Sequence, residues 1–163
     1  MRITDINIDR FGVWRDLSLP LNAEGVTVFY GPNEAGKSTL MRFVRGTLYG
    51  FNPDGARVTR HGHSTEGKGT LRIAHDGKTH SLHREASAGE RGRLRVDELD
   101  WGTRSDERLQ TLLKGTSESM FENIFAIGLS ELQELATLDG DEVARHIYGL
   151  SLGPDGERIL SAG

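Results

Sequence analysis

Apolar and polar positions alternate from the start of the chain. Ile6 and Ile8 fall two apart among Asp5, Asp9 and Arg10, so both stand on one face of a strand. Gly12 breaks the run, and Leu17, Leu19 and Leu21 then recur at the same period, the pattern of a half-buried strand. Gly12–Arg15 would therefore join two antiparallel strands. After Gly25, the segment Val26–Tyr30 is β-branched and aromatic and predicts a buried strand. The period then changes. Leu40, Phe43, Val44 and Leu48 make one apolar helical face, and Gly50, Asn52, Pro53, Asp54 and Gly55 stop the helix.

Farther on, Arg57–Gly69 reads as a polar loop and Thr70–Arg84 as a hairpin around Asp76 and Gly77, a pair suited to a type I′ turn. In that register Leu71 faces Leu82 and Ile73 faces His80. Ser105–Leu113 and Thr116–Phe125 predict short helices, and Ile124–Leu129 is an apolar run of either type. Ser130 and Gln133 fit a capping box, so a helix is expected from Glu131. Val143–Tyr148 predicts another helix, and Ser151–Gly163 is a tail with little to pack. There is no internal repeat.

Composition narrows the class. The chain has 163 residues, 36% hydrophobic and 27% charged, which suits one globular domain with a core and excludes a disordered chain. With no Cys, neither a disulfide scaffold nor a thiolate zinc site is available. The N-terminus lacks the apolar stretch of a secretory leader, and no run approaches the roughly 18 apolar residues of a membrane span, so a cytoplasmic protein without a membrane partner is expected. Charge is uneven: nine basic residues stand against four acidic ones between Arg57 and Arg95, while the last third is strongly acidic. The basic stretch is either a polyanion surface or a solvated hairpin. It also holds five of the six His residues, but His80 and His83 differ in strand parity and point to opposite faces, so surface histidines are favoured over a metal site. Trp14 and Trp101 read as packing residues in preference to base-stacking platforms.

Chemistry concentrates between Gly31 and Ser38. Gly31, Gly36, Lys37 and Ser38 fit G-x-x-x-x-G-K-[ST], the P-loop, with an apolar segment before it and an amphipathic helix after it. Successive loop N–H groups and the helix N-terminus suit phosphate oxygens. Lys37 supplies a positive charge to the β- and γ-phosphates, and the Ser38 hydroxyl is a ligand for Mg2+. The expected cofactors are ATP and Mg2+, with Asn33, Glu34, Ala35, Gly36, Lys37, Ser38 and Thr39 as the binding residues. Glu34 has no claim to be a general base from its position and reads as solvated. The alternative is a glycine-rich strand-to-helix turn without a ligand.

The segment from Ile6 to Gly12, then Leu17–Leu19, then Gly25–Leu40 resembles the N-terminal lobe of SMC-like, SbcC-like ATPases. Within that group, Gly31–Thr39 and Phe121–Leu135 are most similar to the bacterial YhaN-type AAA proteins. The resemblance covers about residues 1–150 and implies an α/β P-loop NTPase, the N-terminal lobe of an ABC-type ATPase head with an antiparallel β subdomain and a helical C-terminal part. It implies that a coiled coil and a C-terminal lobe of the same full-length protein complete the head. It further implies that two heads form a homodimer around ATP, and that DNA and a nuclease are partners in DNA repair or chromosome maintenance. No signature motif, Walker B strand or heptad run occurs here, and Asp141 with Glu142 follows a turn. The chain therefore reads as an incomplete head over 1–150, with 151–163 leading toward a coiled coil, able to bind but not turn over ATP alone. Gln133 is the nearest candidate for the family's catalytic Q-loop glutamine; the other reading is partner to the Ser130 cap. Arg10, at the end of the first strand, is either a phosphate or base contact or a strand-end charge. A P-loop small-molecule kinase and a nucleotide-binding regulatory module without a DNA role are the competing readings.

Overall fold

The structure is a computed structural model that describes residues 1–22, 24–51, 66–87 and 90–121. Strands β1 (Arg2–Phe11) and β2 (Trp14–Pro20) form the first antiparallel pair, with Ile6 opposite Leu19 and Ile8 opposite Leu17. Helix α1 (Lys37–Tyr49) follows, and then β3 (Gly67–His75), β4 (Lys78–Ala86) and the short β5 (Arg93–Val96). The sheet is antiparallel throughout, in the order β2-β1-β3-β4-β5.

The β3–β4 hairpin has the expected register, Leu71 against Leu82 and Ile73 against His80. Asp76 and Gly77 both take positive φ, 47° and 73°, as a type I′ turn requires. Strand β3 begins at Gly67, inside the stretch expected to be loop. The reason is close packing: a side chain at Gly69 would stand 2.4 Å from the Asn7 carbonyl and 2.6 Å from the Phe43 ring. These glycines let β1 and α1 approach the strand.

One face of the sheet carries Ile6, Ile8, Leu71, Ile73, Leu82, Leu94 and Val96, all buried. α1 lies against β1, β3 and β4 and brings Leu40, Phe43, Val44 and Leu48 to the core. Phe43 sits with Phe11 and Phe51 at ring separations of 5.5 and 6.1 Å. Helix α2 (Thr103–Leu113) packs on β5 with Leu109, Leu112 and Leu113 inward. The buried Ser105 hydroxyl secures it by donating to Asp100 O at 2.7 Å and accepting from Val96 N at 3.0 Å.

Two arginines of the basic stretch serve the end of α1, Arg84 from within the core and Arg91 from the surface. Helix α1 has no basic residue in its last turn, yet its terminal carbonyls need donors. Arg84, buried on β4, donates from Nε to Thr47 O at 2.9 Å, and Arg91 donates to Tyr49 O from both Nε and Nη2. Burial lowers the Arg84 guanidinium to about 10, so it remains charged at neutral pH.

The strand expected over Val26–Tyr30 does not form. Among the described residues nothing pairs with this segment, and Val26, Val28 and Tyr30 are 91%, 80% and 97% exposed. Strand propensity expresses fit to neighbouring strands, and no neighbour is described here.

The chain divides into two compact units, Met1–Gly115 and Thr116–Gly163. Of the second, only Thr116–Phe121 is described; it holds α3 (Glu118–Met120), capped by Ser117 Oγ, which accepts from Met120 N at 3.1 Å. The rest of the Thr116–Phe125 helix, the Ile124–Leu129 run, the helices expected from Glu131 and over Val143–Tyr148, Gln133, Asp141, Glu142 and the tail lie outside the described residues. Among the described residues no helix is long and apolar enough to cross a membrane.

Candidate nucleotide site

The site is built where the chain turns from Tyr30 into α1. Ala35 N donates to Pro32 O at 3.3 Å, closing a turn over Asn33 and Glu34. Glu34 and Gly36 take positive φ, 67° and 88°, so the backbone winds in alternating senses, as an anion-binding nest does. α1 then starts at Lys37, and its first helical bond runs from Leu40 N to Gly36 O at 3.0 Å. No side chain caps this end and no acidic residue stands in the first turn. A helix start of this kind presents N–H groups and positive potential to an anion.

Lys37 folds back over the loop, its Nζ donating to Gly31 O at 2.7 Å and Pro32 O at 2.6 Å. These two carbonyls hold the ammonium against the loop, and its third proton is left to give. Ser38 is exposed on the first turn, where its hydroxyl is free to take a metal carried by the phosphates. The residues present fit an Mg2+–nucleotide, since fixed donors, a positive charge and an oxygen ligand for a hard cation converge on one helix start.

Of the other candidates, Asn33, Glu34 and Ala35 form the loop itself, and Thr39 lies beneath the β1–β2 turn. Arg10 is brought to Glu66, in an ion pair of 3.0 Å between partly exposed groups. Trp14 is the residue whose place at the loop the sequence reading missed. Its Nε1 donates to Gly36 O at 3.2 Å, across 22 positions. A cleft bordered by Arg2, Leu21, Asn22 and Thr27 is lined by no residue of the loop and has no part in this chemistry.

On the outer face of the sheet, Arg93 and Arg95 stack over Trp101 at 4.9 and 5.2 Å, and His83 meets its edge at 5.3 Å. Arg93 also forks onto Glu85, and Lys68 lies 3.9 Å from Asp9. Basic charge is thus present on this face, with Arg93 and Lys68 each beside a carboxylate. Burial, with Arg95 and Lys68 nearby, lowers the pKa of His83 below 6.5 against the opposing pull of Asp9 and Glu85. The unfolded chain therefore binds this proton first as pH falls. The stability that neutral His83 contributes is complete above pH 6.5 and is lost on acidification toward its lowered folded pKa. Urea unfolding at pH 7.5 and 5.5 should show a smaller acid loss in His83→Asn than in the unsubstituted chain; equal losses would remove His83 from the effect.

A family profile described as an AAA domain matches residues 1–147. The protein YhaN of Bacillus subtilis (strain 168) is 27% identical over 154 residues, which are 93% of this chain and 16% of that protein. This chain thus spans about a sixth of that relative. A solved structure described under ATP-driven dimerisation and DNA-stimulated activation of SMC ATPases matches 90% of this chain and 99% of its own, at 14% identity and a TM-score of 0.63. The profile spans most of the chain and the fold is that of the SMC ATPase structure: the chain belongs to the AAA domain family.

Proposed function

We propose that this lobe binds ATP with Mg2+ through Gly31–Thr39, and that hydrolysis needs a C-terminal lobe and a second head. The observation that carries nucleotide binding is the Lys37 ammonium hydrogen-bonded to Gly31 O and Pro32 O above an uncapped helix start. Lys37 and the backbone N–H groups would hold the phosphates, Ser38 would be a ligand for Mg2+, and the metal would supply neutralisation of phosphate charge.

The proposal of a completing lobe is supported by Val26–Tyr30. This segment carries a strand's residues next to the loop with its apolar side chains exposed. A strand supplied by a C-terminal lobe would pair with it and cover Val26, Val28 and Tyr30. Such a lobe is also where the resemblance places the carboxylates and the opposing motif that position water. Losing even one positioned donor of this kind costs about 10²–10³-fold in rate. The chain alone should therefore bind ATP while releasing ADP no faster than Lys37→Ala. Turnover clearly above that background would contradict the proposal and make Asp141 and Glu142 the first residues to mutate.

DNA as partner is the remaining part of the proposal, in line with the SMC neighbour's description. With Arg84 and Arg91 committed to α1 and Arg93 to Glu85, binding by this lobe is weak and electrostatic. Duplex titrations at low and high salt test it; no binding even at low salt would contradict a DNA role for the lobe.

A further inference from the structure

We propose that Trp14 is a positioning residue of the nucleotide loop, holding the Gly36–Lys37 peptide in its phosphate-facing orientation. This rests on the reading of Gly31–Thr39 as a nucleotide site and says what keeps that site in shape.

The argument starts from Gly36. Its φ of 88° lies where L side chains rarely go, and glycine has little intrinsic preference for one such conformation over its neighbours. A loop hinged on glycine keeps a single shape only if something outside it fixes the peptide. Here the Gly36 carbonyl accepts two hydrogen bonds, from Leu40 N at 3.0 Å and from Trp14 Nε1 at 3.2 Å. In a planar trans peptide the C=O and the following N–H point in opposite directions. Fixing Gly36 O from the side of the helix and the hairpin therefore aims Lys37 N–H away from both, out of the helix start, where an anion gathers donors.

The indole also fills the space beside this peptide. A side chain at Gly36 would stand 2.7 Å from Trp14 Cζ2 and 2.9 Å from Val13 Cγ2. The hairpin carrying them is braced twice. Phe11 and Trp14 are opposed at the end of the β1–β2 ladder, and Gly12 lies so close to Thr39 that an added side chain would meet Thr39 Cγ2 at 2.6 Å. The β1–β2 turn thus rests on the helix start at Thr39 and on the loop at Gly36. A residue serving only to fill space would need no N–H, whereas this one aims its single polar atom at the carbonyl that orients the loop.

The test compares the unsubstituted chain, Trp14→Phe and Trp101→Phe in titrations with Mg2+–ADP. Trp14→Phe keeps an aromatic ring and removes the donor; it should fold, and lose about 3- to 10-fold in affinity, the range for one neutral hydrogen bond. Trp101→Phe leaves Trp14 as the one indole of the chain, and its emission should change with half-saturation at the calorimetric Kd. Adding Lys37→Ala to Trp101→Phe should shift that change to higher ADP concentration. Trp14→Phe binding within twofold of the unsubstituted chain would overturn the proposal while leaving the nucleotide site intact. Should Trp14→Phe not fold, the emission decides, and a Trp14 signal unmoved by saturating Mg2+–ADP would overturn it. Failure of the unsubstituted chain to bind Mg2+–ADP at all would instead overturn the nucleotide reading, and the proposal with it.

Discussion

Replacing Lys37 by Ala should weaken Mg2+–ATP binding by about 10- to 100-fold, the range of a charge-assisted hydrogen bond worth about 1.5–3 kcal/mol. The ammonium donates to Gly31 O and Pro32 O and has a third proton to give. A phosphate oxygen above the loop would receive it, so truncation removes a positive charge and leaves two carbonyls without their donor. Lys37→Arg should not restore affinity. The carbonyls sit 2.7 and 2.6 Å from a single nitrogen, a point-charge geometry that a planar, forked guanidinium does not reproduce. Calorimetric titrations of the three proteins read this directly, and equal affinities for the unsubstituted chain and Lys37→Ala would remove Lys37 from the site.

Phe43→Ala should cost about 3–5 kcal/mol of stability, the range for an aromatic side chain removed from a filled core. Phe43 is 0% exposed and joins α1 to the sheet, edge-on to Phe11 and against the face of β3 at Gly69. The cavity cannot close from the sheet side, because Gly69 has no side chain to move in and is already against the Asn7 carbonyl. Phe43→Leu refills part of the volume and should lose less. Urea unfolding of both variants should show the midpoint falling in that order with an unchanged slope. A loss in Phe43→Ala below about 1 kcal/mol would mean that the helix is anchored elsewhere, since small core losses accompany only conservative changes such as Ile→Val.

The parts of the fold written in local pattern were legible. Asp76 and Gly77 set both the turn and the register of β3–β4, because a two-residue loop leaves no freedom to slip. The helix Lys37–Tyr49 followed from its apolar face and its glycine stop. What was not legible depends on distant partners. Val26–Tyr30 has a strand's composition, but composition does not say which strand comes to pair with it. Arg84 and Arg91 look like surface charge until α1 ends beside them and needs donors for its last carbonyls. β5 escaped notice because four residues, two of them Arg, make a weak period. At the site, Gly31–Ser38 was visible because every residue of the motif is contiguous. Trp14 was not, because its contact with Gly36 arises only when the β1–β2 hairpin folds onto the loop.

A phosphate cradle formed by the backbone of Gly31–Thr39 is tested most directly residue by residue, in amide NMR spectra of the chain during titration with Mg2+–ADP. Donors that meet phosphate oxygens move to lower field, and these donors belong to the loop's winding at Glu34 and Gly36 and to the first turn of α1. The largest shifts should fall on Asn33 through Thr39, Lys37 N–H among them, and should saturate at one nucleotide per chain. Spectra that stay unchanged at saturating nucleotide, or shifts that cluster away from this segment, would contradict it.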